Sequence, residues 1–271
     1  MINSGNASDQ SSVELLLPPK IGAKIDQLRK YVVRFNWGYT GFDRRIMLIK
    51  LLIQVVLWQG VIAILLFVPA GTINWPGAWI FLIETFVVSA AFGLWLARHD
   101  PALLKERLRS PIQKGQSIQD KIVTGVLVLL YFSWFAFMAL DAIRFKWSSV
   151  PAWLQGPGAL GVLVACYIGY LTLRENTFAA PVVKIQKERA HAVITSGPYR
   201  YVRHPMYAGM IFYLFFAPLL LGSWWGLLWG CFLLGVFAIR IQIEEGALRK
   251  ELPGYNEYAA RVPYRLIPRV W

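Results

Sequence analysis

Thirteen residues at 197–209, GPYRYVRHPMYAG, gather three tyrosines, two arginines and a histidine at the doorway of an apolar run. Proline keeps the residue before it out of the helical region, so His204 is expected to be extended, and Pro205 suits a first helical position. The amides of Met206, Tyr207 and Ala208 would then stand free at a helix start, an arrangement that binds anions such as a carboxylate. Tyr199 and Tyr207 offer aromatic faces to a cation, and Gly209 keeps one face of the helix slim. Further along, Arg240 and Glu244 stand four apart and share a helix face, as do Glu245 and Arg249. Singly, these are interfacial anchors and ordinary ion pairs. Together they describe a pocket for a small ligand that carries both an anionic and a cationic group.

These residues must be positioned by membrane-crossing helices. The chain of 271 residues is 56% hydrophobic, and the apolar residues are gathered into six blocks at 47–70, 75–97, 122–143, 153–173, 206–221 and 223–241. Crossing takes about 20 residues, which the first four meet and the short fifth does not. The fold class expected is all-α and polytopic with about six transmembrane helices: a cytoplasmic segment at 1–46, four spans within 47–173, and a ligand-binding core at 174–271 that holds the last two as a helical hairpin. The first twenty residues lack the charged-then-apolar pattern of a leader. Residues 24–35 mix basic and apolar residues at helical spacing, as a surface helix would. The link between blocks five and six is too short for anything but a tight hairpin, so Arg240 and Glu244 should emerge on the same side as His204.

Of the 28 Lys and Arg residues, 26 fall in the stretch through Lys50, between alternate blocks or from Arg240 onward; Arg144 and Lys146 alone lie in the other loops. The positive-inside rule then puts both termini in the cytoplasm, and the net charge of +13 reflects topology, not nucleic acid. Cys166 and Cys231 sit in apolar blocks as small hydrophobes. His99, His191 and His204 are too scattered to hold a metal. GPGALG at 156–161 matches a dinucleotide fingerprint but opens a membrane span with no strand before it, so helix packing is the reading. Gly161, Ala165 and Gly169, and Gly226 and Gly230, recur at the same four-residue step. Glu84 lies inside the second block, where an acid is either functional or hydrogen-bonded. Asp141 and Arg144 suit a helix-end ion pair.

A ligand that fits these demands is S-adenosyl-L-methionine, with its carboxylate, ammonium, sulfonium and ribose hydroxyls. TSGPYRYVRHPMYAG, followed by a helical hairpin and then R-x-x-x-EE and GYNEYAARVPYRLIP, resembles the integral-membrane isoprenylcysteine carboxyl methyltransferases and the related phospholipid methyltransferases. Residues 175–199 and 100–121 are similar to bacterial members, which implies a bacterial inner membrane. The resemblance implies that His191, Ala192, Val193 and Ile194 lie along the cofactor and that Tyr199 is its tyrosine. It implies too that His204, Pro205, Met206 and Tyr207 form the His-Pro-x-Tyr box, and that Arg240 serves catalysis from the substrate side. Glu244 matches the cofactor glutamate, but the spacing to GYNEY is one residue short, which keeps Glu245 as an alternative. The acceptor it implies is a lipophilic or lipidated molecule drawn from the bilayer. A second reading is an NADPH-dependent membrane sterol reductase, which resembles the same hairpin; the paired acids at 244 and 245 would repel its extra phosphate. A channel would need more polar groups within the spans.

Overall fold

The computed structural model of the protein describes residues 41–113 and 115–271, so the surface helix expected at 24–35 lies outside the described residues. The described chain is all-α. Helices α1 (Gly41–Ala70), α2 (Pro76–His99), the short α3 (Pro101–Arg107), α4 (Ile118–Ala139), α5 (Gln155–Glu175), α6 (Pro205–Leu221), α7 (Trp224–Glu251) and the short α8 (Tyr255–Arg261) follow in order. Among the described residues five helices are long and apolar enough to cross a membrane: α1, α2, α4 with its π-helical extension Leu140–Arg144, α5 and α7. Helix α6 is apolar but shorter. Its 17 residues rise about 25 Å, against a hydrocarbon layer of about 30 Å.

Helix α6 packs against protein along much of its length, and Phe212 and Phe215 stay exposed on its outer face. Leu214, Ala217 and Leu219 to Leu221 are buried, and small residues bring neighbours onto its backbone. A Cβ at Gly158 of α5 would sit 2.5 Å from the Leu220 nitrogen, and one at Gly161 would collide with the Phe216 ring. Gly209 faces the Ala165 carbonyl and Gly230 of α7 faces the Leu214 carbonyl, each at 3.2 Å from the would-be Cβ. The GPGALG stretch therefore opens α5 and packs against α6. Gly169, which continues the same sequence pattern, has open space beside it. Around this centre Leu66, Phe81, Trp134, Phe135, Met138 and Leu233 are fully buried. Large apolar side chains such as Leu52, Val56, Leu57, Ile64 and Val68 of α1 stay exposed, as a lipid-facing surface requires.

The hairpin forms as expected. Gly222 ends α6 in the left-handed conformation at φ 81°, and the Ser223 hydroxyl caps α7 by accepting from the Gly226 amide. Because α7 has 28 residues, it outruns α6 by roughly 15 Å. Arg240, Glu244 and Glu245 thus lie on one continuous helix beside the start of α6. At the hairpin end, Asp141 does not pair with Arg144 as expected. The π turn carries Arg144 around toward Gly71, and the fully buried Asp141 carboxylate accepts from the hydroxyls of Ser148 and Ser223. Glu84 has one carboxylate oxygen buried with no hydrogen-bond partner among the described residues.

These packings predict that Gly158→Ala, which meets backbone, destabilises the protein by about 1–3 kcal/mol, whereas Gly169→Ala does not. Unfolding of the detergent-solubilised protein measures both.

Candidate functional site

A cavity of about 500 Å³ opens beside the start of α6. It is lined by the residues that the resemblance implied for the site, Glu245 excepted: His191, Ala192, Val193, Ile194, Tyr199, His204, Pro205, Met206, Tyr207, Arg240 and Glu244. Its other arm is apolar, with Trp58 of α1, Leu127, Val128 and Phe132 of α4, Met210 of α6, and Leu233 and Phe237 of α7. A cavity of this size, mostly apolar with a few convergent polar groups, is the usual form of a small-molecule site.

The helix start is built largely as its sequence dictates. His204 caps α6 at φ −124°, ψ 64°, outside the helical region, and Pro205 is the first helical residue. The Ala208 amide is not free, as expected from sequence, because it donates to the His204 carbonyl at 3.1 Å and closes the first turn. The Met206 and Tyr207 amides are left without an acceptor inside the helix. The strand-like stretch before the cap is held by the chain's C-terminal tail: the Arg203 amide donates to the Tyr264 carbonyl and the His204 amide to the Arg265 carbonyl, at 3.0 and 2.9 Å.

The two adjacent glutamates part company. Glu245 is buried, and both of its oxygens are taken. Oε1 accepts from Arg203 Nε at 2.6 Å and from His204 Nε2 at 3.2 Å, and Oε2 accepts from Arg265 Nε at 3.0 Å. The expected pair with Arg249 does not form; Arg249 donates to Asn256 instead. Glu244 is half-buried and faces the cavity. It accepts from the Tyr207 hydroxyl at 3.0 Å through Oε2, and Oε1 takes no hydrogen bond among the described residues.

Arg240 likewise does not pair with Glu244. Its Nε donates to Asp120 Oδ1 at 3.2 Å and its Nη2 to the Pro181 carbonyl at 2.6 Å, which leaves Nη1 unengaged among the described residues. Asp120, fully buried in the first turn of α4, also accepts from Gln116 Nε2 and the Val183 amide. Sequence reasoning missed it. The available signal was Ser117-x-x-Asp120 ahead of an apolar run, a capping-box pattern, and the Ser117 hydroxyl does accept from the Asp120 amide. The Asp120 carboxylate has turned away from the reciprocal bond to serve Arg240.

The segment 176–195 between α5 and α6 forms one wall, and side chains tether it. Asn176 donates to the Tyr199 hydroxyl at 2.7 Å, and the Tyr258 hydroxyl donates to the Tyr199 carbonyl at 2.8 Å. Burial pushes the Tyr199 and Tyr258 phenols up, so both stay neutral. His191 stacks on Phe178 at 4.4 Å, and its Nδ1 faces the Gln186 amide as an acceptor. Burial, then the Arg189 cation, push this imidazole down to about 4 against the opposing pull of Glu188, so it is neutral.

Comparison with known proteins bears on residues 158–253, which match the family model for phospholipid methyltransferases. This part of the chain is similar to that family. The segment takes in α5, the tethered wall, the His-Pro-x-Tyr box and α7 with both glutamates. Together with the five helices long and apolar enough to cross a membrane, the match supports a membrane methyltransferase in general. No curated protein matches the chain. Asp120, Trp58 and the rest of the apolar arm contributed by α1 and α4 lie outside the methyltransferase segment.

Two outcomes are expected. Glu245→Ala strands the buried Arg203 and should cost about 3 kcal/mol or more, whereas Glu244→Ala, which loses one hydrogen bond, should cost about 1 kcal/mol. Chemical denaturation of the two variants compares them. Between pH 6.5 and 4 the unfolded chain takes up a proton that the folded His191 refuses. The stability this contributes is complete above pH 6.5 and is lost as pH falls through 4. Thermal melts across that window should fall less steeply for His191→Phe than for the wild type.

Proposed function

We propose that this cavity binds S-adenosyl-L-methionine from the cytoplasmic side and that the protein transfers its methyl group to a lipophilic acceptor from the bilayer. The observation that carries the reading is the convergence of one open carboxylate, two free helix-start amides and two tyrosines on a cavity whose other arm is apolar. The residues fit the cofactor's charges. The Met206 and Tyr207 amides would take the carboxylate, Glu244 the ammonium or ribose hydroxyls, and the rings of Tyr199 and Tyr207 the positive centre. The cofactor supplies an electrophilic methyl on a sulfonium, whose bonding pair stays with sulfur as a thioether forms.

The protein's contribution is positioning. In-line displacement needs the acceptor's lone pair held opposite the departing sulfur, and an intramolecular arrangement of that kind supplies much of the rate. Arg240, held from two sides by Asp120 and the Pro181 carbonyl, has Nη1 left to orient an anionic acceptor group. A carboxylate acceptor needs no proton removed, which accords with neutral His191 and with a His204 occupied by Glu245. The isoprenylcysteine-type carboxylate implied by resemblance is one such acceptor. The charge bias of the loops supports an orientation in which the motif side and both termini are cytoplasmic. The NADPH-dependent reductase reading is weaker, because Glu244 presents a carboxylate to the cavity that would repel an extra phosphate.

The test is transfer of labelled methyl from S-adenosyl-L-methionine into a total lipid extract, with the labelled species identified. Glu244→Ala should abolish cofactor binding by titration. Arg240→Gln should lower acceptor turnover by about tenfold or more while cofactor affinity changes little. Tight binding of NADPH with no binding of the methyl donor would overturn the assignment.

A further inference from the structure

Arg107, the last residue of α3, lines the same cavity but differs from Arg240 in having no counter-charge among the described residues. Its one hydrogen bond among the described residues runs from Nη1 to the Ala179 carbonyl at 3.0 Å. Each carboxylate that its own stretch of chain could offer is already engaged. Glu106, its neighbour in sequence, holds Arg109 with Oε1 at 2.8 Å and Lys184 with Oε2 at 2.6 Å. Asp100 caps α3 through the Leu103 amide at 3.0 Å. Asp120, the acid that serves the cavity's other arginine, holds Arg240, Gln116 and the Val183 amide. Desolvation pushes the Arg107 guanidinium pKa down with no acid to oppose it. A guanidinium stays charged in proteins, so a partly buried one without an anion is a standing cost that a ligand anion would relieve.

We propose that Arg107 seats an oxyanion, a phosphate or carboxylate, carried by the ligand of this cavity, through its unengaged Nε and Nη2 edge. The placement favours the acceptor as the source. Arg107 and Arg240 hold the carbonyls of Ala179 and Pro181, two residues apart on one wall, so their anchor points lie within about 7 Å of each other. An acceptor that meets Arg240 with its reacting group then brings a second anionic group to Arg107, as a phosphate-bearing lipid headgroup does. This role for the site rests on the methyltransferase reading; the oxyanion site itself does not. The cofactor's carboxylate is the other source of the same chemistry.

The experiment measures binding to the full-length protein in nanodiscs, by tryptophan fluorescence, for dodecyl phosphate, dodecanol, S-adenosyl-L-methionine and its decarboxylated form. The wild type should hold dodecyl phosphate about tenfold or more tighter than dodecanol, and Arg107→Gln should erase that preference while leaving dodecanol and the methyl donor within about twofold. Arg107→Lys, which keeps the charge, should retain part of the preference. If Arg107→Gln instead weakens the methyl donor and spares its decarboxylated form, the oxyanion is the cofactor's carboxylate. A wild type that holds dodecyl phosphate through Arg107 yet binds no methyl donor upholds the site and removes the methyltransferase reading. The site is overturned if Arg107→Gln changes no affinity, or if both variants weaken all four ligands alike.

Discussion

The buried carboxylate of Glu245 is the contact on which the site's architecture turns. Arg203 and His204 reach it from the approach to α6, Arg265 reaches it from the C-terminal tail, and Glu245 itself stands on α7. Without it the cluster would be unstable, since the buried Arg203 guanidinium would lose its compensation in a poorly solvated place. The clamp joins three stretches of chain, with Arg203 and Arg265 lying 42 and 20 residues from Glu245. It fixes the cap of α6 against α7, and the cavity forms in the angle between them. The tail is part of that construction, since its carbonyls at Tyr264 and Arg265 take the amides of Arg203 and His204.

Neighbouring residues of one chemical type have thereby acquired different work. Glu245 faces inward to a full set of donors, and Glu244, on the next position around the helix, faces the cavity with one oxygen unengaged. The arginines divide in the same manner. Arg203 and Arg265 are consumed by the clamp, Arg240 is half-satisfied by Asp120, and Arg107 holds a lone carbonyl among the described residues. The cavity therefore runs from a satisfied polar framework to groups with spare donors and acceptors, and then to the aromatic and aliphatic arm between α1, α4 and α7.

The architecture was readable in the chain wherever the determining forces are local. Apolar block lengths marked the spans, Pro205 marked the start of α6, and the short link between the last two blocks dictated the hairpin. Block five was rightly short, and burial by α5, which the glycines at 158 and 161 permit, is why it need not be longer. Contacts between distant positions were opaque. Asp120 and Arg240 are 120 residues apart, and nothing in either neighbourhood announces the other. The choice between Glu244 and Glu245 could not be made from two identical letters; it needed the rotational phase of α7 against α6. The helix-end pair of Asp141 with Arg144 failed for a local reason that sequence does not show, a π turn that adds a residue to the repeat.

That phase is set at the far end of the molecule. The two-residue hinge at Gly222 and Ser223 starts α7 from a capped, buried serine, and some twenty residues of uninterrupted helix carry its orientation to the glutamates. Each residue turns an α-helix by about 100°, so one residue inserted at the hinge would bring a different side chain to the clamp and another to the cavity. The hinge thus works as an indexing pin: a connection remote from any ligand decides which acid is framework and which is left to meet one.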